Sequence, residues 1–81
     1  MLKLDVRMSA AKLLAELERR GLVVKLDTES EVERHWHLGY PKRPGVLEIT
    51  DHGSYCELKV GAKRDGGWAT ALAEELAGTS Y

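Results

Sequence analysis

The sequence is poor in the features that cross-link small proteins or carry them into membranes. Its single cysteine, Cys56, cannot form an intramolecular disulfide and has no clustered partners for a structural zinc site. No apolar run approaches the roughly 20 residues of a membrane span, and the first residues alternate leucine with charge instead of forming a signal-peptide core. We therefore expect a soluble, cytoplasmic protein without a disulfide.

Neither sign of charge dominates the chain. It has 12 Lys or Arg and 13 Asp or Glu, a formal net charge of −1. This balance gives no overall attraction to nucleic acid or to an anionic membrane, so either partner would require a local cationic patch. The 81 residues predict a single α+β domain over residues 1–81. Because so small a core is only marginally stable, we expect a homodimer or a small protein partner.

Two stretches have the apolar spacing of amphipathic helices. The first follows Ser9, which can cap the first amides, and it ends at Gly21. The second begins near Trp68 and ends near Gly78. The buried faces are predicted to contain Ala10, Leu13, Leu14 and Leu17 in the first helix and Trp68, Ala69, Leu72, Ala73 and Leu76 in the second.

Between the helices, four stretches alternate apolar and polar residues, as strands with one buried face do. They cover residues 22–26, 32–38, 46–50 and 55–60, while residues 2–6 could be a short extra strand or disordered. This order predicts an α+β, two-layer sandwich: a four-stranded antiparallel meander sheet with two helices on one face, in the order α-β-β-β-β-α. The inward strand residues include Leu47, Ile49, Cys56, Leu58 and Val60.

Two histidines on the second predicted strand are the clearest candidates for chemistry. His35 and His37 are one residue apart, so both should lie on the sheet face opposite Trp36 and the helices. Two imidazoles could begin a metal site or act as acid and base, but either role requires further groups. The candidate third ligands, none with a diagnostic spacing, are His52, Glu48, Glu57 and Glu33. We favour two solvent-facing strand histidines and assign no metal site, catalytic residue or cofactor.

Two predicted loops carry pairs of basic residues. Lys42 and Arg43 lie in the loop of residues 39–45, and Lys63 and Arg64 lie in the loop of residues 61–67. If the strands bring these loops to one end, the four cations could contact phosphates. The second loop could also hold an anion on its amides, although Asp65 suits a helix cap better. We favour ordinary solvated loops.

The order of helix, strands and helix, with the first helix at Lys12–Leu22 and the His35-Trp36-His37 segment on the second strand, is loosely similar to HicA-type RNA-cleaving toxins. In that family a strand histidine carries the activity, so the resemblance implies an RNA partner. The family's Gly-Ser-His signature is absent here, because Glu33 and Arg34 precede His35, and no catalytic role is transferred. Residues 9–22 also resemble the first helix of TubC-type docking domains of peptide synthetases.

These observations favour a non-enzymatic protein-interaction module that associates through its open sheet face. An alternative is an RNA-binding or RNA-cleaving protein that uses the strand histidines and the basic loops. A third hypothesis is metal binding by the two histidines. The predicted interface residues are Val23, His35, His37, Val46 and Tyr55.

Overall fold

The described part of the chain forms a five-stranded antiparallel sheet and two helices. The computed structural model describes residues 1–25 and 34–78. In chain order the elements are β1 (Leu2–Val6), α1 (Ala10–Arg19), β2 (Val23–Val24), β3 (His35–Gly39), β4 (Leu47–Asp51), β5 (Cys56–Val60) and α2 (Ala69–Gly78). The strand order is β1-β5-β4-β3-β2, with every neighbouring pair antiparallel. The predicted α+β class is confirmed, and residues 2–6 form the extra strand, which pairs with β5.

The helix ends follow the expected local signals. Ser9 caps α1 by accepting a hydrogen bond from the Lys12 amide at 3.3 Å. Gly21, with a φ of 94°, allows the left-handed turn after this helix. Arg20 then joins the end of α1 to α2 through a 2.6 Å ion pair with Glu75. This ion pair connects the C-terminal end of α1 with α2.

The described residues pack one apolar cluster between the helices and the sheet. Inward residues alternate along the strands, and the helices contribute their predicted faces, apart from the half-buried Leu14. The cluster contains Val6, Ala10, Leu13, Leu17, Leu22, Leu38, Leu47, Ile49, Cys56, Leu58, Val60, Trp68, Ala69, Leu72, Ala73 and Leu76. The predicted inward faces of β4 and β5 are confirmed. Burial also raises the pKa of the Cys56 thiol, which keeps it in the unreactive, protonated form.

The sequence prediction was wrong at the sheet edge formed by β2. This strand has only two residues, and Val24, expected on the buried face, is 46% exposed. Among the described residues β2 pairs only with β3, and Val24 lines a groove together with Leu14 and Leu38. Arg34, expected within a strand, has a φ of 56° and pairs with Asp51. The predicted turn at residues 28–31 lies outside the described residues.

Both helices bury their apolar faces against the same side of the sheet. The opposite side, called here the outer face, is covered by neither helix. It has two cross-strand rows of polar residues: His35, Thr50, Glu57 and Asp5 in one, and His37, Glu48, Lys59 and Lys3 in the other. Neither of the two described helices is long and apolar enough to cross a bilayer.

Candidate functional site

The pairing of β3 with β4 assembles a polar cluster on the outer face. His37 lies directly opposite Glu48, and His35 lies opposite Thr50. Directly opposed side chains in an antiparallel pair are about 5 Å apart at Cβ, close enough for their polar ends to meet. The alternation that buries Ile49 between Glu48 and Thr50 directs both polar side chains outward. Two histidines from one strand thus meet a carboxylate from the next.

Three potential ligand atoms converge in this cluster, which we call the His-His-Glu cluster (His35, His37 and Glu48). The Nε2 atoms of His35 and His37 are 3.1 Å apart. Glu48 Oε1 lies 3.2 Å from His35 Nε2 and 3.3 Å from His37 Nε2. The imidazole rings meet edge to face, with centroids 5.0 Å apart. The three atoms therefore form a nearly equilateral triangle.

The cluster is partly withdrawn from solvent. The side chains of His35, His37 and Glu48 are 23%, 14% and 15% exposed, respectively. The two histidines, expected to face solvent as a pair, are instead partly buried, because each ring is shielded by the other and by the carboxylate. Partial burial strengthens electrostatic interactions with any cation held among these atoms, because water screens them less.

Thr50 contacts the cluster through a hydrogen bond with His35. Its Oγ1 atom lies 2.7 Å from Nδ1 of His35, on the side of the ring away from Glu48. A threonine hydroxyl can either donate or accept, so it can fix either tautomer. When His35 Nδ1 donates to the hydroxyl, the Nε2 lone pair points into the cluster. A hydrogen bond of this kind orients the imidazoles of metal-binding sites.

The cluster has the donor types of a transition-metal site. Two imidazole nitrogens and one carboxylate oxygen suit zinc and related divalent ions. Zinc bonds of about 2.0–2.1 Å place tetrahedral ligands about 3.3 Å apart, close to the three separations in the cluster. Within residues 1–25 and 34–78, no other group of at least three His, Cys, Asp or Glu side chains converges in this way. A single metal ion can be held between these three atoms.

The other proposed third ligands lie elsewhere. His52 is in the turn between β4 and β5, where its ring stacks on Tyr55 with centroids 4.8 Å apart. Glu57 lies opposite Thr50 on β5, one strand further from the histidines. Glu33 is outside the described residues. Which of these residues lies beside the two histidines depends on strand register, and the spacing along the chain does not reveal that register.

The remaining predicted interface residues do not form one patch with the histidines. Val23 lies opposite Gly39 at the sheet edge and is 44% exposed. Tyr55 is at the β4–β5 turn, and Val46 immediately precedes β4, where its amide donates to Arg64 O at 2.8 Å. These three residues surround the polar rows of the outer face, so its centre is more polar than the sequence suggested.

The four basic loop residues form a second feature. Lys42 and Arg43 lie in the β3–β4 connection, while Lys63 and Arg64 lie in the β5–α2 connection, and all four are exposed. The two connections touch at the same end of the sheet. The sequence predicts a patch of four charges only if the two loops lie at one end of the sheet, and they do.

The sequence alone leaves Glu48 as one of four possible third ligands and does not indicate Thr50 at all. A usable signal was the outward parity that Glu48 and Thr50 share on β4, although parity alone does not say which residue faces each histidine. That requires the register of β3 against β4. No protein-family model matches the chain, and neither a curated protein nor a solved structure matches it.

Proposed function

We propose that this protein binds a divalent transition-metal ion, with zinc as the best fit, through His35, His37 and Glu48. The observation that carries the proposal is the triangle of ligand atoms, with sides of 3.1, 3.2 and 3.3 Å. The donor set is two imidazole nitrogens and one carboxylate oxygen, and the carboxylate partly balances the charge of a divalent ion. A fourth tetrahedral position would remain for water or another ligand.

Ordered supports around the triangle favour metal binding over an incidental meeting of side chains. Each ligand is on a strand within a continuous sheet, and His35 is held by Thr50 on the opposite strand. Ligands on paired strands lose little further conformational freedom when an ion binds. The metal hypothesis, ranked third from the sequence, therefore becomes the leading proposal once the cross-strand neighbour is known.

The proposal is tested by titrating chelator-treated protein with zinc in a calorimeter. We expect one ion per chain, and weaker binding by more than about 100-fold in His37→Ala and Glu48→Gln, because loss of a supporting contact alone costs about 10–100-fold. Matched controls are His52→Ala and Glu57→Gln, which change the same residue types outside the cluster. Absence of zinc binding by the unaltered protein, or equal losses in the controls, would reject the proposal.

Thermal unfolding provides an independent measurement. A ligand at 100 times its Kd stabilises the folded state by about 2.7 kcal/mol. For a domain of this size, each kcal/mol raises the Tm by roughly 4–8 °C, so saturating zinc should raise it by roughly 10–20 °C. Titration with cobalt then reports the coordination geometry, since tetrahedral cobalt absorbs visible light far more strongly than octahedral cobalt.

A second candidate function is the self-association predicted from the sequence. Support comes from the outer face, which neither helix covers, and from Val23, which is exposed at its edge. We expect a dimer mass in sedimentation at micromolar concentration and a monomer for Val23→Glu combined with Tyr55→Glu. Runs with chelator and with zinc separate metal-bridged from direct association, and a monomer under both conditions would reject it. Cytoplasmic location and the lack of enzymatic activity remain predictions.

A further inference from the structure

The two basic loops are joined into one structure, which we call the basic junction (residues 40–46 and 61–68). The amide of Val46 donates to Arg64 O at 2.8 Å, and the Trp68 indole Nε1 donates to Pro44 O at 2.8 Å. These bonds cross between segments that are about twenty residues apart in sequence. They hold the loops side by side at the end of the sheet where β3 and β5 finish and β4 begins.

Two glycines permit this close approach. A Cβ atom added at Gly45 would lie 2.5 Å from Trp68 Nε1 and 2.9 Å from Asp65 O. A Cβ atom at Gly66 would collide with Pro44 O. Both glycines also have positive φ, 105° and 62°, which other residues adopt only with strain. Backbone contact without side chains between them therefore sets the spacing of the two loops.

The junction displays four cations and one acid. Lys42, Arg43, Lys63 and Arg64 are all exposed. The acid is Asp65, whose carboxylate accepts hydrogen bonds from the Thr70 amide at 2.6 Å and the Gly67 amide at 2.9 Å. Hydrogen bonds from Thr70 and Gly67 lower the pKa of Asp65. Its negative charge is thus turned toward the first amides of α2, so it offsets less of the charge of the four cations.

The same cap excludes one kind of anion site. A single phosphate bound at a helix start uses free backbone amides there, but Gly67 and Thr70 donate to the Asp65 carboxylate, and Ala69 donates to Asp65 O at 3.0 Å. The exposed cationic side chains then remain, and because they come from two adjoining loops they suit a chain of phosphates better than one phosphate. We propose that the basic junction binds the phosphodiester backbone of a nucleic acid.

Binding at the junction is independent of base sequence. Tyr40, the aromatic residue nearest the basic pair in sequence, packs edge to face on Trp68 with centroids 4.8 Å apart. Arg43 lies over the Tyr40 ring, 4.9 Å from its centroid. Arg43 therefore occupies one face of the Tyr40 ring, which closes that face to a stacking base. Contacts with phosphate carry affinity without sequence information.

The test measures binding of fluorescent single-stranded RNA and DNA of one sequence, with chelator present throughout so that the result does not depend on the metal proposal. The variant is Lys42→Gln, Lys63→Gln and Arg64→Gln together, which keeps Arg43 on Tyr40. The control is Arg7→Gln, Lys12→Gln and Arg19→Gln together, which changes net charge equally. Circular dichroism checks that both proteins are folded.

We expect the variant to bind more weakly than the control, with similar losses for RNA and DNA. Each lost phosphate contact should reduce the slope of log affinity against log salt by about 0.7 for a single strand, so the slope should fall by about 2. Three results would overturn the proposal. They are no binding by the unaltered protein at low salt, equal losses in variant and control, and strict selectivity for RNA or DNA.

Discussion

Replacement of Thr50 by valine tests whether the His-His-Glu cluster is organised for metal binding. The change removes the hydroxyl oxygen that lies 2.7 Å from His35 Nδ1. Valine has nearly the same volume and the same branching at Cβ, and it favours strands as threonine does. Strand β4 and its inward residue Ile49 should therefore be undisturbed. The ligand atoms themselves remain in the protein.

The expected loss follows from the geometry of this hydrogen bond. Without Thr50, His35 loses its Nδ1 partner, so both the tautomer and the ring orientation become less restricted. Loss of such supporting partners weakens metal binding by about 10–100-fold, which corresponds to about 1.4–2.7 kcal/mol. A net hydrogen bond contributes about 0.5–1.5 kcal/mol, and the lost orientation of the ring accounts for the remainder.

A competition assay against a chromophoric zinc chelator measures the change, with Thr50→Ser as the matched control. Serine keeps the hydroxyl, so its affinity should stay within a few-fold of the unaltered protein. Urea unfolding of the metal-free proteins shows whether stability changed as well. Zinc affinity in Thr50→Val equal to that of the unaltered protein would refute a role for Thr50 in orienting His35.

Three further predictions concern the fold. Leu58 is fully buried on β5, so its replacement by alanine should lower the free energy of unfolding by about 2–5 kcal/mol. A loss below about 1 kcal/mol in urea unfolding would contradict its place in the core. Gly66→Ala should lower the Tm more than Gly67→Ala, because both have positive φ but only Gly66 would collide with Pro44; equal shifts would contradict the tight junction. Hydrogen bonds from Thr70 and Gly67 lower the pKa of Asp65 in the folded state. They stabilise the folded protein fully above the ordinary carboxyl pKa of 3.8, and this stabilisation is lost as the pH falls through the folded-state pKa. The stability difference from Asp65→Asn should therefore shrink in acid, and an unchanged difference would contradict the cap.

Local patterns were sufficient to predict the helices and the faces of the strands. Leu13 and Leu17 recur at helical spacing and are both buried, and the alternation around Ile49 places Glu48 outward as expected. These predictions succeed because the choice between buried and exposed depends on periods of 3.6 and 2 residues, which adjacent residues encode. The predicted burial of Val24 was wrong, because burial at the sheet edge depends on neighbouring elements and not on the alternation within the strand itself.

The candidate sites required information that no local pattern contains. Glu48 approaches both histidines because β3 and β4 pair in one register, and a shift by one residue would turn it toward the core. Likewise, the two basic loops form one surface because Gly45 and Gly66 allow their backbones to touch. Period and composition in the sequence determined the helices, the strand faces and the outward position of the histidines. The tertiary structure decided which residues meet across strands and loops, because those distances depend on register and packing between segments remote in sequence.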